Sequence, residues 1–380
     1  MAFERIGVVG TSRKENERRV PIHPDHFSLI SDAAASRLFF EEGYGLRFGV
    51  DDDVLAERFA GVLPRRELLN ESEAVILPKP LPQDLEELAP GGVLWGWPHC
   101  VQQRAITCAA RERGLTLLAF EAMFTWDGGT RGTHLFYRNN EMAGYCGVLH
   151  AMAVLGVSGR YGTRKSAVVL SFGYVSRGAI HALKGLGVTD ITVLTRRPPV
   201  EVRHRIGGCH YAGMIRHPEG GMVVRDHGVE RPLLDVLAGV DIIVNGILQD
   251  TDDPVMYLQP GEEGILKPNS LIVDVSCDEG MGFPFARPTS FEEPTFRAGP
   301  ATYYAVDHTP SYLWRSASWE ISRVVVEYLE RFSQGPEAWE ASPVLSRAVE
   351  IREGKILNPK ILTFGAGETS SSTAAEADGS

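Results

Sequence analysis

The sequence predicts an α/β protein of two domains, the second inserted into the first. Three observations predict it. Residues 1–138 alternate short apolar runs, IGVVG, RLFFEEG, EAVILPK, GGVLWGW and LTLLAF, with polar stretches compatible with helix, which is the rhythm of repeated β/α units. A second such series, SAVVLSF, DITVLTR, VDIIVNGI and SLIVDVS, ends near Tyr303. Then WRSASWEISRVVVEYLERF, from Trp314, carries a long amphipathic pattern at helical spacing that suits a return to the first domain. The length of 380 residues matches two domains of roughly 150 residues each, and 43% hydrophobic content suffices for buried cores.

The chain opens directly on a strand at Ile6, and no run of about 18 apolar residues occurs, so the cytoplasm is the expected compartment. Its five cysteines, Cys100, Cys108, Cys146, Cys209 and Cys277, are odd in number and lack a C-x-x-C pair, which predicts reduced thiols. A net charge of -11 argues against nucleic acid or an anionic membrane as partner and leaves small molecules. From Asn139, NNEMAGYCGVLHAMAVLG reads as a helix with Asn140 as its cap and Gly156 as its stop. The end, GAGETSSSTAAEADGS from Gly365, is small, polar and acidic and reads as a disordered tail. The expected layout is 1–138 plus 312–364 as the substrate domain, 139–311 as the nucleotide domain and 365–380 as the tail. Hinges near 138–142 and 305–312 would let the domains close over reactants.

A nucleotide site is expected at VVLSFGYVSRGAI, residues 168–180. A strand runs into a turn in which Gly173 and Gly178 bracket Tyr174, Val175, Ser176 and Arg177, and AIHALKGLG continues as a helix. Backbone N–H groups and the dipole at that helix start would hold a pyrophosphate, with Gly173 allowing close approach. Ser171 stands where a dinucleotide fingerprint has its first glycine. An ordinary strand-to-helix turn is the alternative, and the next strand helps to decide. A site for NAD carries a carboxylate roughly 20 residues beyond the loop, bound to the ribose 2′-OH. Here DITVLTRRPP ends in Thr195, Arg196 and Arg197 with no acid, and guanidinium groups bind a 2′-phosphate in two-point fashion. The prediction is NADP(H), unless the two arginines form only a solvated turn.

Further candidates sit at strand ends, where open α/β sheets bind ligands. VDIIVNGI ends in Asn245 and Gly246, and SLIVDVSCDEG ends in Asp274, Asp278 and Glu279; Asp in such places also caps helices and forms turns. After the first strand, Arg13, Lys14, Arg18 and Arg19 make a local positive patch suited to carboxylates in an otherwise acidic chain. Arg13 and Lys14 suit a solvated face, whereas Arg19, followed by the stiff V-P-I-H-P, suits a fixed role. Lys79 in AVILPKPLP and His99 in VLWGWPHC follow successive strands, and both side-chain types can be tuned toward neutrality for proton transfer. Cys209, His210, His217 and His227 fit no standard ligand spacing, so no metal is predicted and 203–227 reads as a polar excursion.

These residues carry a resemblance. R-R-V-P-I-H-P, Lys79 after its strand, G-W-P-H, A-G-Y-C-G-V-L and D-H-T-P-S-Y-L-W-R-S-A-S-W-E-I-S together resemble the alanine dehydrogenase and saccharopine dehydrogenase superfamily over most of residues 5–330. Within it, I-I-x-N-G-I with a following D-D-P, and the stretch from Tyr303 to Arg315, are similar to the N(5)-(carboxyethyl)ornithine synthase subgroup. The fold so implied is α/β, two Rossmann-like domains with the nucleotide-binding one inserted into the substrate domain. The activity implied is NADPH-dependent condensation of a pyruvate-like 2-keto acid with a basic amino acid such as ornithine or lysine, in a homo-oligomer. By matching position, Arg19 corresponds to the arginine holding a substrate carboxylate, Lys79 and His99 to the catalytic and substrate-binding pair, and Asp278 to an acid at the cofactor. His308 and Arg315 are expected on the substrate side. Two departures stand out: Ser171 for glycine, and Asp307-His308, which is closer to saccharopine dehydrogenases than to the subgroup. An alanine or other amino acid dehydrogenase using ammonia, a saccharopine dehydrogenase-like enzyme, and a non-catalytic NADPH-binding regulator are the alternatives.

Overall fold

The computed structural model describes residues 1–217, 220–247, 249, 254–277 and 279–363. The tail expected at 365–380 and Asp278 lie outside the described residues. The chain divides into two compact units, Met1–Tyr137 with the chain from Trp314 onward, and Arg138–Leu313.

In the first unit six parallel strands form one sheet: β1 (Ile6–Val8), β2 (Leu38–Glu41), β3 (Gly61–Leu63), β4 (Ala74–Ile76), β5 (Val93–Gly96) and β6 (Thr116–Ala119). Their order is β3-β2-β1-β4-β5-β6, extended past β6 by two antiparallel strands from the C-terminal segment, Val349–Arg352 and Lys355–Ile356. Every residue of β1, β4, β5 and β6 is buried, as strands covered by helices on both faces must be. The helix Trp314–Ser333 supplies part of one cover through Ile321, Val325, Leu329 and Phe332, with Phe332 stacked on Trp95 at 4.5 Å. A hairpin, β7 (Phe124–Asp127) with β8 (Thr130–His134), completes the unit.

The second unit repeats the plan. Its strands are β9 (Ser166–Leu170), β10 (Asp190–Thr195), β11 (His210–Arg216), β12 (Met222–Asp226), β13 (Val229–Pro232), β14 (Ile242–Asn245), β15 (Leu271–Asp274), β16 (Thr295–Ala298) and β17 (Ala301–Tyr304). The parallel core runs β11-β10-β9-β14-β15-β17, with β12 and β13 antiparallel at one edge and β16 at the other. Alternate residues of β9 divide between two cores: Ala167 and Val169 pack with Val148, Ile180 and Leu183, while Val168 and Leu170 pack with Leu233, Leu237 and Leu258. Both units are therefore doubly wound, Rossmann-like sheets whose strand order reverses beside the first strand, opening a crevice at the carboxyl ends.

Two readings of the sequence need correction. The helix starts at Tyr137 and runs to Val154, so Asn140 is an internal helical residue and not a cap. The segment 203–227 contributes β11 and β12 and is no mere excursion; within it His210 pairs with Asp226 at 2.9 Å. Among the described residues no helix is long and apolar enough to cross a membrane.

Candidate functional site

In the second unit the end of β9 enters a turn that leads into the helix Tyr174–Gly185. Ser171 sits at φ +82°, the left-handed region that favours glycine, which is why fingerprints of this kind have glycine there. Its hydroxyl lies 2.7 Å from Ser176 Oγ and donates to the Gly246 carbonyl at 3.2 Å, so the serine ties the turn to the end of β14. Gly173 precedes the helix in extended conformation, and a Cβ added there would meet nothing within 4 Å. The space over Gly173 is thus open beside the N–H groups of the first helical turn, the arrangement that binds phosphate oxygens. Gly178 has a different duty. A Cβ on it would fall on the Glu141 carbonyl oxygen of the helix Tyr137–Val154, and one on Gly144 would fall on the Val175 carbonyl. The two helices cross backbone to backbone because both positions lack side chains.

A cleft of about 360 Å³ lies over this turn. It brings together the predicted Ser171, Gly173, Tyr174, Val175, Arg196, Arg197 and Gly246, with Asn140 and Thr195 beside them. Arg196 and Arg197 are exposed, and the Thr195 hydroxyl donates to the Arg197 carbonyl at 2.5 Å, shaping the strand end. The cleft thus sets a helix N-terminus beside two arginines, groups of the kind that attract phosphate oxygens. Asn245 is placed otherwise: it is 1% exposed, its amide donates to Asp274 at 3.0 Å and its carbonyl accepts from the Ile247 N–H. Tyr303 also donates to Asp274, at 2.9 Å, so Asn245 and Asp274 form a buried bracket under the strand ends. His308 is buried against Phe291, its Nδ1 2.6 Å from Asp307.

In the first unit four neighbouring strands carry titratable or charged side chains beyond their carboxyl ends: Arg19 beyond β1, Lys79 beyond β4, His99 beyond β5 and Glu121 beyond β6. Lys79 Nζ stands 3.0 Å from His99 Nε2, hydrogen-bond distance for a shared proton. His99 adopts φ +48°, and its N–H donates to Glu121 Oε1 at 2.7 Å, which fixes the turn that presents the ring. Glu121 is a residue that sequence reasoning missed. Burial and the carboxylate of Glu350 push its carboxyl well above the ordinary range. The Arg19 guanidinium is buried below the Trp97 ring at 5.4 Å, and Nε and Nη2 fork onto Glu17, a second missed residue, which orients it. Arg315 is exposed, its guanidinium 5.8 Å from the Phe48 and Trp314 rings, and Arg47 lies 5.6 Å over Trp314.

Residues 8–140 match the family profile described as Alanine dehydrogenase/PNT, N-terminal domain, and residues 142–359 match Alanine dehydrogenase/PNT, C-terminal domain. The chain is similar to an N(5)-(carboxyethyl)ornithine synthase of Lactococcus lactis subsp. lactis, at 25% identity over 342 residues covering 86% of this chain and 95% of that one. It is also similar to the alanine dehydrogenase of Mycobacterium tuberculosis, at 23% identity over 373 residues covering 94% and 96%. Among solved structures, an L-alanine dehydrogenase superposes with a TM-score of 0.73 at 20% identity, covering 95% of this chain and 98% of that one. A transhydrogenase from Sinorhizobium meliloti superposes with a TM-score of 0.70 at 17% identity, covering 93% and 100%. At these identities the superpositions establish the fold.

Proposed function

The chain belongs to the alanine dehydrogenase/PNT family, and on that premise we propose that it joins a pyruvate-like 2-keto acid to the amino group of a basic amino acid and reduces the product with NADPH. It is an oxidoreductase of the nicotinamide dinucleotide class. The observation that carries the chemistry is the Lys79–His99 pair, two titratable nitrogens 3.0 Å apart. The amine must lose a proton before it attacks the keto carbon, and the resulting hydroxyl must gain one before it leaves as water. A lysine and a histidine sharing one proton serve both needs in turn. Arg19, held rigid by Glu17 and Trp97, is assigned the keto-acid carboxylate, and Arg315 the substrate side. NADPH supplies the hydride that reduces the imine carbon.

The choice of NADPH over NADH rests on Arg196 and Arg197 in a cleft whose lining, among the described residues, holds no carboxylate in their place. Replacing both with serine should weaken NADPH binding by about ten- to hundredfold, the worth of charge-assisted hydrogen bonds, and leave NADH binding nearly unchanged. Fluorescence titration of both cofactors checks this; equal losses would remove the 2′-phosphate assignment. Gly173→Ala, whose new methyl meets only open space within the protein, should keep the melting temperature and lower affinity for both cofactors by about tenfold. The reaction itself is tested by mass spectrometry of the product, which should weigh the sum of keto acid and amino acid, less water, plus two hydrogens. Alanine formed from pyruvate and ammonia would favour the second reading, an amino acid dehydrogenase, for which the similarity to the M. tuberculosis enzyme is the support.

A further inference from the structure

A second cleft, of about 240 Å³, lies in the second unit, and its lining shares no residue with that of the cleft over the nucleotide turn. It opens on one face of the sheet toward the edge made by β12 and β13. Alternate residues of a strand share a face, and so do residues paired across neighbouring strands. Val168, Ala212 and Val224 are buried on this face and pack with Leu233 and Leu237. Thr192 pairs with both Val168 and His210, Asp226 follows Val224 by two positions, and Arg231 lies opposite Val224. A hydroxyl, an imidazole, a carboxylate and a guanidinium thus follow one another across β10, β11, β12 and β13 beside an apolar floor. The short helix Leu233–Ala238 adds Asp235 to the lining.

These groups are not equally engaged. His210 Nε2 lies 2.9 Å from Asp226 Oδ2, and His227, outside the lining, stands 3.8 Å from the other oxygen of the same carboxylate. Histidines therefore occupy Asp226. Arg231 and Asp235 are exposed, and among the described residues neither side chain has a hydrogen bond or ion pair. The groups left for a ligand are one cation and one anion. A polyanion would be opposed by Asp226 and Asp235 and a simple cation by Arg231, whereas a molecule bearing both charges satisfies the two together. The donor set does not suit a metal: among the described residues no group of three or more His, Cys, Asp and Glu side chains could hold an ion. The volume falls below the roughly 300–1,000 Å³ of clefts that take drug-sized ligands, so the occupant is small.

We propose that this cleft binds a free aliphatic amino acid, with its carboxylate on Arg231, its ammonium on Asp235 and its side chain over Val168, Ala212 and Val224. None of these residues takes part in the reductive reading of the protein, so the site stands whether or not that reading does.

Isothermal titration calorimetry on the whole protein tests it, with L-leucine as the probe. Leucine should bind. Its analogues 4-methylpentanoate and 3-methylbutylamine keep the side chain and one charge each, and should bind at least about tenfold more weakly, the worth of a charge-assisted hydrogen bond. Arg231→Gln and Asp235→Asn change exposed side chains without partners in the protein, so folding is undisturbed, and each should weaken leucine by a similar factor. These two variants also separate the cleft from the substrate groups of the first unit, where an amino acid would bind without regard to residues 231 and 235. Leucine held equally by the wild type and either variant would overturn the proposal. So would the absence of saturable binding, or equal binding of either analogue with a single charge.

Discussion

Lys79→Met should lower kcat by roughly a hundred- to ten-thousandfold, the span that positioned proton transfer contributes, and should leave the melting temperature within about a degree or two of the wild type. Methionine keeps an unbranched apolar stem of similar length, while the nitrogen 3.0 Å from His99 Nε2 is lost. His99→Asn should give a loss of the same size. Asparagine is the informative replacement because residue 99 holds φ +48°, a conformation asparagine tolerates and most residues do not. The double variant should be little worse than either single one, since the two nitrogens act on one proton. Steady-state kinetics with keto acid and amine varied separately checks this. A raised KM with kcat intact would make both residues binding groups only.

Gly178→Ala has the largest expected effect on stability. The methyl would fall on the Glu141 carbonyl oxygen and close on the Tyr145 N–H, atoms of a helix backbone that cannot rotate aside. The helices Tyr137–Val154 and Tyr174–Gly185 must separate, at about 3 kcal/mol, the upper part of the usual cost of overpacking. For a unit of this size that lowers the melting temperature by about 6–12 °C. Gly185→Ala, in the same helix, should do the opposite. A Cβ there meets nothing within 4 Å, so the change brings only helix propensity, a gain of up to about 1 kcal/mol. Thermal unfolding of the two variants side by side separates close packing from propensity.

Much of the fold was legible because it depends on local patterns. Each apolar run from IGVV to SLIVD became a buried parallel strand, and the amphipathic pattern after Trp314 became one long helix. The strands β12 and β13 were not legible, because at a sheet edge they bury few side chains and so show little alternation. Asn140 misled because a capping residue type also serves inside a helix that starts earlier. In the cleft, Gly173 and the paired arginines could be found from spacing, since strand, turn and helix fix their neighbourhood within one β/α unit. The Asn245–Asp274 bracket could not, as it joins two strands 29 residues apart. Glu121 and Glu350 were out of reach for the same reason; Glu17 stands only two residues before its partner Arg19 but carries no motif that marks it. A carboxylate looks like surface in sequence, and only the neighbouring strands reveal that it is buried.

The central claim is reductive joining of two substrates at Lys79 and His99. Its most direct test is the initial rate of NADPH consumption by the purified protein, measured for pyruvate, 2-oxoglutarate or glyoxylate, each alone and with ornithine, lysine, arginine or ammonia. The prediction is consumption only when a keto acid and a basic amino acid are both present, faster with NADPH than with NADH. Equal or faster consumption with ammonia as the only amine would contradict it and make the protein an amino acid dehydrogenase.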